Sequence, residues 1–177
     1  DLSRVQAAEE LTTAGPVSID EVITTSLEAH VVQAESAEVE LVRGGQRSAQ
    51  VVGDVQMLTE AVSNLIANAI AYSPVGAHVG VGVRTIDGIV EIAVTDQGIG
   101  IAEADQQRIF ERFYRADQAR SRRTGGTGLG LAIVKHVAQR HDGEVRVWSQ
   151  PGRGSTFTLR IPEGGPATPP QNRSNLS

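Results

Sequence analysis

The 177-residue chain has no cysteine, one methionine, one tryptophan, two tyrosines and three phenylalanines. Without cysteine there is neither a disulfide framework nor a thiolate metal site. With so few aromatic rings and a formal net charge of -5, it lacks the basic, ring-bearing face that stacks bases and neutralises phosphates, so no nucleic-acid partner is expected. No apolar run approaches the roughly 18–20 residues that a membrane-spanning helix needs. Lysine is nearly absent too: of 16 basic residues only Lys135 is not arginine. What the chain does have is 40% hydrophobic residues and 19 glycines, enough apolar material for the core of one domain.

The opening Asp1-Leu2-Ser3-Arg4-Val5-Gln6 reads like the end of a helix begun upstream, which suggests a piece of a longer protein. Residues 7–17, broken by Gly15 and Pro16, read as a linker or edge segment. Ser18, with Glu21 three residues on, has capping-box spacing, and Val22, Ile23, Leu27 and Val31 predict a helix running to about Ala34. Strand-like clusters follow at Val39 to Val42 and Gln50 to Val52. Asp54 then caps the clearest helix, with Val55, Leu58, Val62, Leu65, Ile66, Ala69 and Ile70 at helical spacing and Ser73-Pro74 as its stop. Val79 to Arg84 and Ile89 to Thr95 alternate around Asp87-Gly88 as a hairpin. A short helix is expected over Ala104 to Phe110, then an arginine-rich loop anchored by Phe110, Phe113 and Tyr114. A helix from about Leu129 to Arg140 and a last hairpin, Val145 to Trp148 with Thr156 to Ile161, complete the pattern. The tail after Pro162 has the composition of a disordered segment. The fold class is therefore α/β: a two-layer sandwich of a mixed, mostly antiparallel sheet packed on about three helices.

Three stretches carry chemistry. Asn64 and Asn68, in Asn64-Leu65-Ile66-Ala67-Asn68-Ala69, are one helical turn apart and project from the same side. An Asn carbonyl suits Mg²⁺, which takes its other ligands from water and phosphates; the same amides could instead cap nearby backbone. Asp96 ends a strand and opens Asp96-Gln97-Gly98-Ile99-Gly100, where a carboxylate can accept from the exocyclic amine of adenine or simply form an Asx turn. Gly125-Gly126-Thr127-Gly128-Leu129-Gly130-Leu131 puts free backbone N–H groups at a helix start, where the dipole favours anions. Between the glycine turns, Arg108, Arg112, Arg115, Arg120, Arg122 and Arg123 form either a solvated face or a clamp for phosphates. A P-loop is excluded, because Lys135 stands between Val134 and His136, and so is a dinucleotide fingerprint, because Leu131 and Glu103 occupy the third-glycine positions. His30, His78, His136 and His141 have no metal-ligand spacing and are read as structural or surface residues.

In order and spacing these stretches resemble the sensor histidine kinases: Asn64 to Tyr72 the N box, Asp96 to Gly100 the first glycine box, Ile109 to Arg115 the F box, Gly126 to Gly130 the second glycine box, and Gly152 to Thr156 the last one. The resemblance covers about residues 18–162 and implies a Bergerat-type ATP-binding domain. It would divide the chain into the end of a dimerisation helix with its linker (1–14), the catalytic domain (15–162, with an ATP lid at about 101–126) and a tail (163–177). It further implies that Asn68 holds Mg²⁺, Asn64 assists catalysis, Asp96 recognises adenine and Tyr72 flanks it. By the same carry-over Arg115 reaches the γ-phosphate as a catalytic residue, while Gly98, Gly100, Gly126, Thr127, Gly128, Leu129, Gly130 and Thr156 line the nucleotide. The implied cofactors are ATP and Mg²⁺. The implied partners are the dimerisation helices of a homodimeric, membrane-attached parent kinase and a response regulator.

Two departures stand out. Ala71 occupies the place of a usual basic residue, and no histidine has the family's phosphoacceptor setting. Alternatives within the fold are a nucleotide-binding docking module without transfer and an anti-sigma-type serine kinase. An ATP-hydrolysing clamp would need a glutamate base where this chain has Asn64, and an amide cannot take a proton from water.

Overall fold

The computed structural model describes residues 14–112, 114 and 130–164. The element order is β1 (Gly15–Ser18), α1 (Ile19–Glu28), α2 (Val31–Ala37), β2 (Glu40–Gly45), β3 (Gln50–Gly53), α3 (Val55–Tyr72), β4 (His78–Ile86) and β5 (Ile89–Asp96). Then follow α4 (Glu103–Gln106), α5 (Gly130–Arg140), β6 (Glu144–Gln150) and β7 (Gly154–Pro162). Five strands form one sheet in the order β2-β4-β5-β7-β6. β2 and β4 run parallel and the other neighbours antiparallel, the mixed sheet expected from the alternation. β1 and β3 form a separate antiparallel ribbon, with Gly15 opposite Gly53.

Alternation fixes which face each strand buries. Val79, Val81 and Val83 of β4, Val90, Ile92 and Val94 of β5, and Phe157, Leu159 and Ile161 of β7 are all buried. They face Leu58, Val62, Leu65, Ile66, Ala69 and Ile70 of α3 and Val134 and Val137 of α5 in one continuous core. Among the described residues no helix packs on the opposite sheet face. There Glu91, only 8% exposed, accepts from Arg84 at 2.6 Å and from Arg160 at 2.8 Å. Arg160 also reaches Glu144, which pairs with Arg146, both at 2.7 Å. Burial alone would raise the Glu91 carboxyl, but its hydrogen bonds from Arg84 and Arg160 outweigh that and hold it below the ordinary range. Glu144 is likewise lowered, chiefly by its bond from Arg160.

One sequence expectation is narrowed and one is corrected. Of the two readings of residues 7–17, linker or edge segment, the end of the stretch is an edge strand, β1, which Ile19 ties down by donating its N–H to Ala49 O at 3.0 Å. The helix expected to reach Ala34 is two helices, α1 and α2, broken at Ala29-His30. Val31, counted in its apolar stripe, is exposed, so the stripe that anchors α1 stops short of it. The Ser18 cap holds, its hydroxyl accepting from Glu21 N–H at 3.4 Å. At Asp87-Gly88 both residues take positive φ, 51° and 76°, as a two-residue hairpin of the primed kind requires. Residues 1–13 of the stretch read as helix end and linker (1–14), and residues 165–177 of the stretch read as tail (163–177), lie outside the described residues.

Candidate nucleotide site

α3 supplies one wall. Asp54 starts it by accepting the Met57 N–H at 3.0 Å, and its own N–H donates to His141 Nε2 at 3.1 Å. The other ring nitrogen of His141 bonds Val137 O at 2.8 Å. A buried histidine at the end of α5 thus pins the start of α3, the structural role expected of it. Farther along, Asn64 and Asn68 are both half-buried, whereas Leu65, Ile66 and Ala69 are fully buried. The amides therefore flank the apolar stripe rather than lie within it, at the rim where the helix meets solvent.

α5 begins at Gly130 beside the first of these amides. A Cβ built on Gly130 would lie 3.7 Å from Asn64 Oδ1, so a helix N-terminus, which favours anions, abuts Asn64. The Asn64 Nδ2 is buried and has no hydrogen-bond partner among the described residues. A buried polar donor left unpaired is costly unless a further group accepts from it. Arg115 and Gly126, Thr127, Gly128 and Leu129, on which the phosphate side of the sequence reading leans, lie outside the described residues, as does Phe113.

The adenine side is set by β5 and its neighbours. Asp96 ends β5 with 5% exposure. Its Oδ1 accepts the Gly98 N–H at 2.8 Å, and the backbone of Ser155 donates a second bond. Burial pushes its carboxyl above the ordinary aspartate value, with the two backbone N–H groups pulling the other way. No cation pairs with Asp96 among the described residues. A carboxylate has about four acceptor positions, so capacity remains beyond these two bonds.

The glycines work differently from the sequence expectation. Gly98 needs no positive φ; a Cβ there would stand 2.4 Å from Tyr72 O. Its bareness lets the Asp96 turn pack against the last turn of α3. Gly100 does take positive φ, 75°, and a Cβ there would meet Gln150 O at 2.2 Å. Both close approaches are to protein backbone. Tyr72, at the end of α3, is half-buried beside this turn.

The register corrects the expectation for Thr156. It lies opposite Thr95, with the two hydroxyls 3.1 Å apart, and Thr95 is exposed. That puts Thr156 on the open sheet face, away from α3 and α5. Ser155, 4% exposed and opposite Asp96, is on the helix face instead. Counting alternation back from Ile161, Leu159 and Phe157 reaches Ser155, so the signal was present. The anchors of the following segment behave as expected where described: Phe110 meets Phe157 edge-on, ring centres 6.2 Å apart. Tyr114 donates its hydroxyl to Asp105, and Arg108 stands 4.5 Å from the Tyr114 ring centre.

An amide oxygen is a donor of the kind magnesium takes. Asn68 offers a hard oxygen from the rim of α3, and the described residues contain no group of three His, Cys, Asp or Glu side chains able to hold an ion unaided.

Residues 53–165 match the family described as histidine kinase-, DNA gyrase B-, and HSP90-like ATPase. The chain is 53% identical over 163 residues to the sensor-like histidine kinase SenX3 of Mycolicibacterium smegmatis, covering 92% of this chain and 42% of that protein. It thus spans about two-fifths of that relative's length. The solved structure of the mycobacterial sensor histidine kinase MprB superposes with a TM-score of 0.73 at 37% identity, covering 86% of this chain and 99% of that one. Full-length ShkA in complex with AMPPNP gives a TM-score of 0.75 at 27% identity, over 88% of this chain and 32% of that one. The fold, the buried aspartate beside its glycine turn and these likenesses converge: the chain belongs to the histidine kinase-, DNA gyrase B- and HSP90-like ATPases, as the ATP-binding catalytic domain of a sensor histidine kinase.

Proposed function

We propose that residues 15–162 bind Mg-ATP between α3, the Asp96 turn and the start of α5, and that they present its γ-phosphoryl group to a histidine outside this chain, in two-component signalling. The observation that carries the reading is Asp96: a buried carboxylate with no countercharge among the described residues and acceptor capacity to spare, which suits the exocyclic amine of adenine. ShkA, a structural neighbour, is described in complex with AMPPNP, an ATP analogue.

In this reading Asp96 accepts from adenine, and Tyr72 flanks the ring. Asn64 donates its unpaired Nδ2 to a phosphate or leaving-group oxygen and so orients the triphosphate, while the N-terminus of α5 receives its charge. Asn68 would hold Mg²⁺ through its side-chain oxygen. Bound there, the ion would neutralise charge on the phosphates. Arg115 and the turn at Gly126–Gly130 complete the phosphate side. An amide at position 64 cannot take a proton from water as a carboxylate there would, so hydrolysis is slow and the phosphoryl group is kept for transfer. The acceptor histidine, the dimerisation helices that carry it, membrane attachment of the parent and a response regulator as the final recipient are proposed from kinship with the sensor kinases.

Calorimetric titration with a non-hydrolysable ATP analogue tests the site. The unmodified chain should bind, more tightly with Mg²⁺ than without, and Asn68→Ala should bind with little dependence on Mg²⁺. Equal affinity with and without the ion in the unmodified chain would sink the metal assignment. Incubated alone with radiolabelled ATP, the chain should acquire no phosphohistidine; it should label a dimerisation-helix fragment of its parent supplied in trans. Labelling of the isolated chain would contradict the proposal.

A further inference from the structure

The turn after Asp96 is held from outside, by the β6–β7 hairpin. Ser149, near the end of β6, uses every bonding position of its hydroxyl. It accepts the Ile101 N–H at 2.7 Å and donates to Gly154 O at 3.0 Å. Its oxygen lies 2.8 Å from Ser155 Oγ. With its single proton given to Gly154, Ser149 must accept from Ser155, which fills both lone pairs. Gln106 of α4 adds a second brace: its Nε2 donates to Ile101 O at 3.0 Å and to Ser149 O at 3.2 Å. On the hairpin itself, Gly152 N–H donates to Ile99 O at 2.7 Å. The glycine turn is thus fixed at one end by β5 and at the other by Ser149. Both N–H groups that orient the Asp96 carboxylate, those of Gly98 and Ser155, belong to this braced unit.

We infer that Ser149 and Gln106 are positioning residues for adenine: they touch no nucleotide, but they aim the Asp96 carboxylate by locking the turn and the hairpin together. The inference rests on the reading of Asp96 as the adenine acceptor. Removing the Ser149 hydroxyl leaves the Ile101 N–H unanswered and frees Ser155, so the turn samples arrangements in which Asp96 no longer meets the amine. Adenine then loses affinity. Guanine does not, because its exocyclic oxygen at the same position finds no donor in Asp96 to begin with.

The test is calorimetry on the full 177-residue chain with AMP-PNP and with GMP-PNP, beside thermal melting. Ser149→Ala should weaken AMP-PNP by about fivefold to tenfold, the worth of one to two hydrogen bonds, and leave GMP-PNP unchanged, so that the ratio of the two affinities collapses. Ser149→Thr, which restores an Oγ, should recover the ratio. Gln106→Ala should reduce it by about threefold, and this variant carries the test if Ser149→Ala fails to fold. A residue that merely stabilises the fold would lower the melting temperature without changing the ratio. That outcome in both alanine variants would overturn the inference while leaving the adenine site intact. An unmodified chain that binds the two analogues equally would overturn the adenine reading itself and the inference with it.

Discussion

A carboxylate removed from water favours its protonated form unless something answers its charge, and at Asp96 two backbone N–H groups do so among the described residues. The consequence is a pH dependence in binding. In the proposed reading the ionised carboxylate is the stronger acceptor for adenine, and the raised pKa means that protonation begins at a higher pH than for an ordinary aspartate. Analogue affinity should therefore fall on acidification before exposed aspartates titrate, as titrations at stepped pH would reveal; a flat profile down to the ordinary aspartate range would count against it. Asp96→Asn should reduce affinity by about tenfold or more at neutral pH, since hydrogen bonds to charged groups contribute about 1.5–3 kcal/mol. Thr156 makes the complementary case. Thr156→Val removes a hydroxyl that faces Thr95 on the open side of the sheet, and analogue affinity should stay within about twofold of the unmodified chain, because the lost bond is remote from the site. The sequence singled out Thr156 at the end of Gly152 to Thr156; only the register showed that its neighbour Ser155 is the one opposite Asp96.

At the scale of elements, the long helix was legible because several signals agreed: a capping Asp54, a continuous stripe from Leu58 to Ile70 and a Ser73-Pro74 stop. The helix before it was less legible, since Val31 continues a pattern that packing does not use. What aligns α3 with α5 is contact between distant residues. His141→Leu would remove the acceptor of the Asp54 N–H in a half-buried place, and urea denaturation should show a loss of about 1–3 kcal/mol. Gly98→Ala would force a methyl to 2.4 Å from Tyr72 O. The turn must shift away from α3, at a cost of about 1–3 kcal/mol. Neither glycine nor histidine announces such a neighbour in the sequence, because the partner is decided by how two elements meet.

Across the whole molecule, the open sheet face is laced by Arg84, Glu91, Arg160, Glu144 and Arg146. Both carboxyls are held below the ordinary glutamate value of 4.5, so the native state binds their protons less readily than the unfolded chain. The stabilisation they give is present above about pH 4.5 and is lost as the pH falls through the lowered native values. Melting temperature should drop over that acid range, and Glu91→Gln should flatten the drop; an equally steep fall in the variant would refute the ladder as its source. The sequence by itself determined the α/β class, the hairpins, the capped helix and the order of Asn64, Asn68 and Asp96 along the chain, because caps, turns and periodicities are local properties of neighbouring residues. Only the tertiary structure decided that β2 runs parallel to β4, that β1 pairs with β3, that Ser155 rather than Thr156 stands behind Asp96, and that Ser149 and His141 hold the two sides of the site. Those choices depend on which distant surfaces bury each other, and packing, not local propensity, makes them.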